Sequence, residues 1–268
     1  MTSAVDSSIC VSREAGALGA VVTGVDLAER VDDATFDAIH DAFVENLVIC
    51  IRGQAHIRPE DQLAFAARWG EISVHPYVPS IDGYPGVMRV SDPTPVTTTW
   101  HADTTHLDAP PALTLLLARQ IPAYGGDTMF ANQYVAYEHL SPGLRATIDG
   151  LRAVHKGTEL AKEAGLDREA VTAVHPVVRT HPVSGKRSLF VNGNYTSHFD
   201  GWTVEESAPL LALLYAESCR PEYTWRHRWQ IGDLVIWDNR CTQHAVVADV
   251  SAGERVLHRV TIAGDVPV

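Results

Sequence analysis

The sequence predicts a mainly β protein, a sandwich or jelly roll with few helices, and periodicity alone leaves a generic α+β domain open as the alternative. Two features carry that expectation. From Val87 onward, short strand-like runs alternate with turns: "VMRV", "ALTLLLA", "AVHPVVR", "SLFVN", "YTWRHRW", "DLVIWD" and "VLHRVTI". Helical patterns are few, and a single long one interrupts that region.

The elements follow in order. "LGAVVTGVDL" reads as a short strand. "DDATFDAIHDAFVEN" reads as a helix capped by Asp32 or Asp33, with Phe36, Ile39 and Phe43 on one face. "LVICI", rich in β-branched residues, is a buried strand. "RPEDQLAFAARWG" is a second helix, with Pro59 near its first turn and Gly70 at its end. "HPVSGKRSLF" forms a hairpin turning at Ser184-Gly185. The long helix is "TVEESAPLLALLYAESC", where Thr203 and Glu206 make a capping box.

The 268 residues suit one domain, 1–268, with a sizeable core. The net charge of −12 argues against a nucleic-acid partner, which would need a basic stripe. It allows a small anion, because one buried arginine can set the local sign. Cys10, Cys50, Cys219 and Cys241 are scattered, without a CxxC pair, and read as reduced thiols of a cytoplasmic protein. "MTSAVDSSIC" lacks a signal-peptide pattern, and no apolar run reaches the roughly 18 residues that span a membrane. Self-association into a homo-oligomer is left open.

The chemistry concentrates in "TTTWHADTTH", residues 97 to 106. On a strand, His101 and Asp103 would point to one side and present an imidazole and a carboxylate to one ion. Alone, H-x-D is a weak signal. Downstream, "GDLVIWDNRCTQHAVVADVSAGERVLHRVTIAGD" supplies His244, then Arg255 and Arg259. Two histidines and one carboxylate on one face of an octahedral ion leave three positions open, which suits Fe(II) that must bind a chelating co-substrate and dioxygen. Arg255 and Arg259, four apart on one strand face, would be costly in a cavity unless anions met them.

From "GAVVTGVDL" through "WGEISVHP", "WHADTT", "YGGDTMFAN", "LFVNGNYTSHF" and "WDNRCTQHAV" to "RVLHRVTIAGD", nearly the whole chain resembles the taurine dioxygenase family of Fe(II)/2-oxoglutarate-dependent oxygenases. The resemblance implies a double-stranded β-helix, a cupin-like jelly roll, mainly β with flanking helices (α+β). It implies Fe(II) held by His101, Asp103 and His244, with 2-oxoglutarate (α-ketoglutarate) and O2 as co-substrates and succinate and CO2 as co-products. Thr128 and Arg255 match the pair that holds the distal carboxylate of 2-oxoglutarate, for which a planar guanidinium fork is suited. His75 and Arg259 match the positions that hold the substrate's anionic group. Asn239 and Arg240, from "WDNR", take a supporting role.

The substrate positions depart from the taurine enzyme. Tyr77 stands one place before that family's pocket tyrosine, where Val78 falls; Thr97 replaces an asparagine; Gly157 or Thr158 replaces one phenylalanine and Tyr195 another. A roomier pocket follows, one for an anion larger than taurine: a longer sulfonate, a sulfate ester or a carboxylate.

Plainer readings stand beside these. His106 reads as a histidine outside the ligand set, and His155, His175, His181 and His198 as turn or surface residues. The tryptophans read as core, with Trp100 a candidate wall of the iron site. Arg226–Arg228 reads as a solvated edge. Arg259 has a structural alternative, a pair with Asp238. Two rival functions remain. One is a zinc-dependent hydrolase using His101, Asp103 and His106, which leaves the His244, Arg255 and Arg259 spacing unexplained. The other is a non-catalytic jelly-roll binding protein, which has no need of the iron and 2-oxoglutarate contacts together.

Overall fold

A computed structural model describes residues 9–74, 79–91, 97–157, 171–250 and 253–268. The major sheet has eight strands. Along it lie Cys10–Arg13, Ala20–Thr23, Val48–Ile51, Leu234–Asp238, Leu113–Gln120, Val256–Ile262 and Ile72–Ser73, with Met88–Ser91 also paired to Val256–Ile262. Its pairings are antiparallel except that of Ala20–Thr23 with Val48–Ile51. A minor sheet of Thr224–His227, Thr128–Asn132 and Thr242–Val246 carries the candidate residues Thr128 and His244. A three-stranded sheet (Thr196–Phe199, Arg152–Lys156, Thr172–Pro176) and the hairpin Val178–Thr180/Arg187–Leu189 complete the β structure among the described residues. The protein is thus mixed α+β, mainly strands in several sheets.

The period of two along a strand divides the core. Ile49, Ile51, Leu115, Leu117, Leu234 and Ile236 pack with Phe36, Ile39, Phe43 and Phe65 of the two N-terminal helices. Their neighbours Val48, Cys50, Ala118, Val235 and Trp237 face the other way, against Phe130 and Trp225 of the minor sheet. A third cluster lies under the helices Gln133–Glu138, Pro142–Ile148 and Val204–Ser218. The candidate site residues sit where the major and minor sheets face one another.

The helix signals act as expected. Asp32 Oδ1 accepts from the Thr35 amide at 2.7 Å and caps Asp33–Asn46. Thr203 Oγ1 accepts from Glu206 N, and Glu206 Oε2 accepts from Thr203 N, at the start of Val204–Ser218. The hairpin turns through Gly185, whose φ of +68° favours glycine. The second helix, Pro59–Ala66, ends before Gly70, so that glycine lies past the helix rather than at its cap.

Three histidines correct the sequence reading. His155 and His175 are buried in strands, not on turns or surface; His181 is at the hairpin turn, as expected, but buried; and His198 is half-buried. Each buried ring has a partner remote in sequence: His155 Nδ1 meets Thr105 Oγ1 (2.9 Å), His175 Nε2 meets the Leu107 carbonyl (2.9 Å), and His181 Nε2 meets Asp238 (3.0 Å). Thr224–His227 is an edge strand with Arg226 exposed, as expected, but His227 turns inward to Asp233. Trp202 is exposed, unlike the core role expected of it.

His155 also predicts a pH dependence. It is fully buried, and burial, with His175 and His106 nearby, pushes its pKa down to about 3. The unfolded chain takes up that proton near the ordinary value of about 6.5, so stability is lost as pH falls below it. The loss expected from this group is about 2 kcal/mol at pH 5 relative to pH 8. Denaturation of His155→Asn should show a shallower acid decline than the parent chain; equal slopes would refute this.

Candidate metal centre

His101 lies outside the named strands, yet its backbone is held as in a sheet. Its amide donates to the His244 carbonyl (3.0 Å), and the His244 amide donates to the His101 carbonyl (2.7 Å). This exchange joins the 97–106 segment to the strand Thr242–Val246 and brings the two rings to 4.1 Å between centroids. Asp103 enters from the same segment. Its Oδ1 lies 3.9 Å from His101 Nε2 and 3.8 Å from His244 Nε2. All three side chains are buried, and one ligand atom from each falls within 4.8 Å of the others.

The protonation states suit a cation. His101 Nδ1 lies 2.8 Å from the Thr99 carbonyl, which only accepts, so Nδ1 carries the proton and the Nε2 lone pair remains for a metal. Burial lowers the pKa of both histidines, with neighbouring charge adding to the effect at His244, so both rings are neutral near pH 7. Burial alone would raise the Asp103 pKa. The Arg259 guanidinium, with the Thr114 hydroxyl, outweighs it and holds the carboxyl ionised. Two neutral imidazoles and one carboxylate form a donor set suited to a divalent transition metal.

A second layer orients Asp103. Oδ2 accepts from Thr114 Oγ1 (2.7 Å) and pairs with Arg259 Nη2 (2.8 Å). Asn239 Oδ1 accepts from the Asp103 amide (3.1 Å) and from Trp237 Nε1 (3.0 Å), while Asn239 Nδ2 donates to Thr114 Oγ1 (3.0 Å). Asn239 thereby ties the Asp103 segment to Thr114 of the major sheet. Arg240 instead makes a two-pronged pair with Asp238. That pair, with His181, occupies Asp238, so the partner of Arg259 is Asp103 and not Asp238.

Thr128 and Arg255 come together beside this centre. Thr128 lies opposite Val246, two residues beyond His244, and Arg255 Nη2 donates to Thr128 Oγ1 at 3.3 Å. Arg255 stands one residue before the strand Val256–Ile262, whose register shifts between Val256 and Leu257. It nonetheless reaches the same site as Arg259. The "GG" before Asp127-Thr128 has a local reason: a Cβ on Gly125 would lie 2.5 Å from the Asp249 carbonyl oxygen, and φ is +83°.

The remaining candidates divide. The Tyr195 ring stands 6.2 Å from His101, and burial followed by the Asp103 charge pushes its pKa up to about 12, so it is a neutral hydroxyl. The Thr97 carbonyl accepts from the Val246 amide (3.0 Å), which places it beside the His244 strand. His75, Val78 and Thr158 lie outside the described residues. His106 is buried against Tyr195, with ring centroids 5.1 Å apart, and among the described residues it belongs to no group able to hold a metal. The ligand set of the zinc hydrolase is thus not assembled. A Cβ on Gly157 would lie 2.5 Å from the His106 ring, so the room expected at Gly157 is filled by that imidazole. Thr114 was not singled out in the sequence; a threonine inside "ALTLLLA" carries no motif signal.

A sequence model of the family described as taurine catabolism dioxygenase TauD, TfdA matches residues 11–261. The chain is 38% identical to an alpha-ketoglutarate-dependent sulfate ester dioxygenase of Pseudomonas putida, over 95% of this chain and 89% of that one. It is 37% identical to an alkylsulfatase of Acinetobacter baylyi (94% and 84%), and 32% identical to an alpha-ketoglutarate-dependent 2,4-dichlorophenoxyacetate dioxygenase of Cupriavidus pinatubonensis (92% and 95%). A crystal structure of a taurine dioxygenase from Burkholderia xenovorans superimposes with a TM-score of 0.87 at 37% identity, covering 97% of this chain and 91% of that one. The protein AAD-2, crystallised with Mn(II) and N-oxalylglycine, gives a TM-score of 0.84 at 28% identity, covering 97% and 99%.

Proposed function

The chain belongs to the taurine catabolism dioxygenase TauD, TfdA family, and on that premise we propose that it oxidises a small organic anion at an Fe(II) centre. It is an alpha-ketoglutarate-dependent dioxygenase with a jelly-roll fold. Our reading is that the whole chain acts as one domain, its major and minor sheets forming the walls of a double-stranded β-helix. The observation that carries the proposal is the convergence of His101, Asp103 and His244, with neutral imidazoles and an ionised carboxylate, beside a buried arginine–threonine pair. No helix among the described residues is long and apolar enough to cross a membrane.

In this reading His101, Asp103 and His244 hold Fe(II), which supplies the site where 2-oxoglutarate and dioxygen react. Arg255 and Thr128 grip the distal carboxylate of 2-oxoglutarate and so fix its reach to the metal. Trp237 and Phe130, packed on His244, keep water from that side. Arg259 offers its charge to both Asp103 and the substrate's anionic group, since one carboxylate contact leaves most of its five donors. Tyr195 presents a neutral hydroxyl to the substrate. Thr97 holds the wall by its backbone, and His75 shares the anion with Arg259.

We favour a sulfate ester as substrate. Two relatives given above, at 38% and 37% identity, are named as a sulfate ester dioxygenase and an alkylsulfatase and support this choice. Hydroxylation of the carbon bearing the ester oxygen releases sulfate and leaves an aldehyde. The test is succinate formation with Fe(II), ascorbate and air, across alkyl sulfate esters, sulfonates including taurine, and aryloxyalkanoates, with zinc as the comparison metal. A sulfate ester should be turned over best and zinc should give nothing. Taurine as the best substrate would sink the substrate assignment, and zinc-supported turnover the mechanism.

Arg259→Leu should lower kcat/KM for the sulfate ester at least tenfold, while the dissociation constant for 2-oxoglutarate changes less, because a charge-assisted contact to the substrate anion is lost. The ratio of the two effects is the measurement. A larger effect on 2-oxoglutarate would reassign Arg259.

A further inference from the structure

From the environment of Thr128 we infer that Trp229 is a positioning residue for 2-oxoglutarate, one that fixes the Thr128 hydroxyl as a donor toward the distal carboxylate. The inference rests on the assignment of Thr128 and Arg255 proposed above.

Trp229 is buried, and its Nε1–H donates to Thr128 Oγ1 at 3.0 Å. Arg255 Nη2 donates to the same oxygen at 3.3 Å. A threonine hydroxyl has two lone pairs and one proton. Both lone pairs are taken by N–H groups, neither of which can accept. The proton alone is left for an outside partner, and among the described residues none accepts it. The third partner of Thr128 must therefore be an acceptor. An ionised carboxylate only accepts, so the hydroxyl is set for it before it arrives.

The indole does a second task. The Arg255 guanidinium carbon lies 5.4 Å from the centre of the Trp229 ring, within the range of a cation–π contact. Gly126 closes the other side: a Cβ there would lie 3.3 Å from Arg255 Cδ. One side chain thus governs the rotor of Thr128 and the plane on which Arg255 rests. The indole is itself held from behind. His227, two residues earlier, stands edge-on at 4.7 Å and is tied to Asp233 (3.1 Å), which also pairs with Arg52 (2.6 Å).

The test uses the full-length protein loaded with Mn(II), titrated calorimetrically with 2-oxoglutarate and with 2-oxobutyrate, which keeps the 2-oxo acid and lacks the distal carboxylate. Trp229→Phe keeps a ring and loses the N–H. It should weaken 2-oxoglutarate about fivefold, the weight of one neutral hydrogen bond, and leave 2-oxobutyrate unchanged. Thr128→Val should weaken 2-oxoglutarate by a similar factor, and the double variant no more than either alone, because both remove one donor path. Equal weakening of both acids by Trp229→Phe, additive losses in the double variant, or an unchanged affinity for 2-oxoglutarate would each overturn the inference. A failure of Thr128→Val and Arg255→Gln to alter 2-oxoglutarate binding would instead defeat the underlying assignment. Thermal melts of each variant, compared with the parent, separate loss of fold from loss of affinity.

Discussion

Asp103→Ala is expected to form no succinate above background and to lose stability as well. The turnover loss follows from the donor set: two imidazoles alone hold a labile divalent ion poorly. The stability loss follows from what Oδ2 does. It receives Thr114 and Arg259, and its removal leaves a largely buried guanidinium without its anion. Breaking a fully buried pair costs roughly 3–5 kcal/mol, and Arg259 keeps some solvent contact, so about 2 kcal/mol is expected. Asp103→Asn separates the two effects. Its amide oxygen can still accept from Arg259, so most of the stability should return while turnover does not. Succinate formation and urea denaturation of the metal-free protein are the measurements. Near-native succinate from either variant would end the three-ligand assignment.

Arg255→Gln should raise the dissociation constant for 2-oxoglutarate by roughly 100-fold, the upper range for a charge-assisted contact. The residue is buried, is the cation beside Thr128, and rests on an indole face. Arg255→Lys restores the charge without the planar fork and should recover only part of the affinity. The KM for the prime substrate, measured at saturating 2-oxoglutarate, should change little. Titration of the Fe(II) protein, followed by the metal-to-ligand charge-transfer band, reports the constant directly; an unchanged value would refute the role.

What the sequence made legible was the part written in local pattern. The caps at Asp32 and Thr203, the apolar runs "LVICI" and "DLVIWD", and the turn at Gly185 are all set by neighbours a few residues away. His101, Asp103, His244, Thr128 and Arg255 were legible through ordered motifs, and the structure brings them together. What escaped depended on distant partners. Thr128–Asn132 and Thr242–Val246, the inner strands of the site, are short and too polar to stand out by periodicity. Thr114 looks like any β-branched strand residue until Asp103 and Asn239 are placed beside it. His155 and His175 read as polar, yet each is buried because one carbonyl or hydroxyl from the 101–107 segment meets it. Gly157 looked like added room only because the ring that fills it, His106, comes from 51 positions earlier in the chain (157 − 106).

The backbone exchange between His101 and His244 has a thermodynamic corollary. These residues are 143 positions apart (244 − 101). Closing a loop of that size has an entropic cost that grows slowly with length but is never small. Here two peptide hydrogen bonds hold the ends together, and neither needs an ion. Metal affinity is then spent on coordination rather than on assembling the chain, unlike a small zinc domain that is unfolded without its ion. Chelation should accordingly strip this protein without unfolding it, and the amides of His101 and His244 should remain protected from hydrogen exchange in the stripped form. On the three-ligand proposal, the ion is exchangeable within the lifetime of one folded molecule.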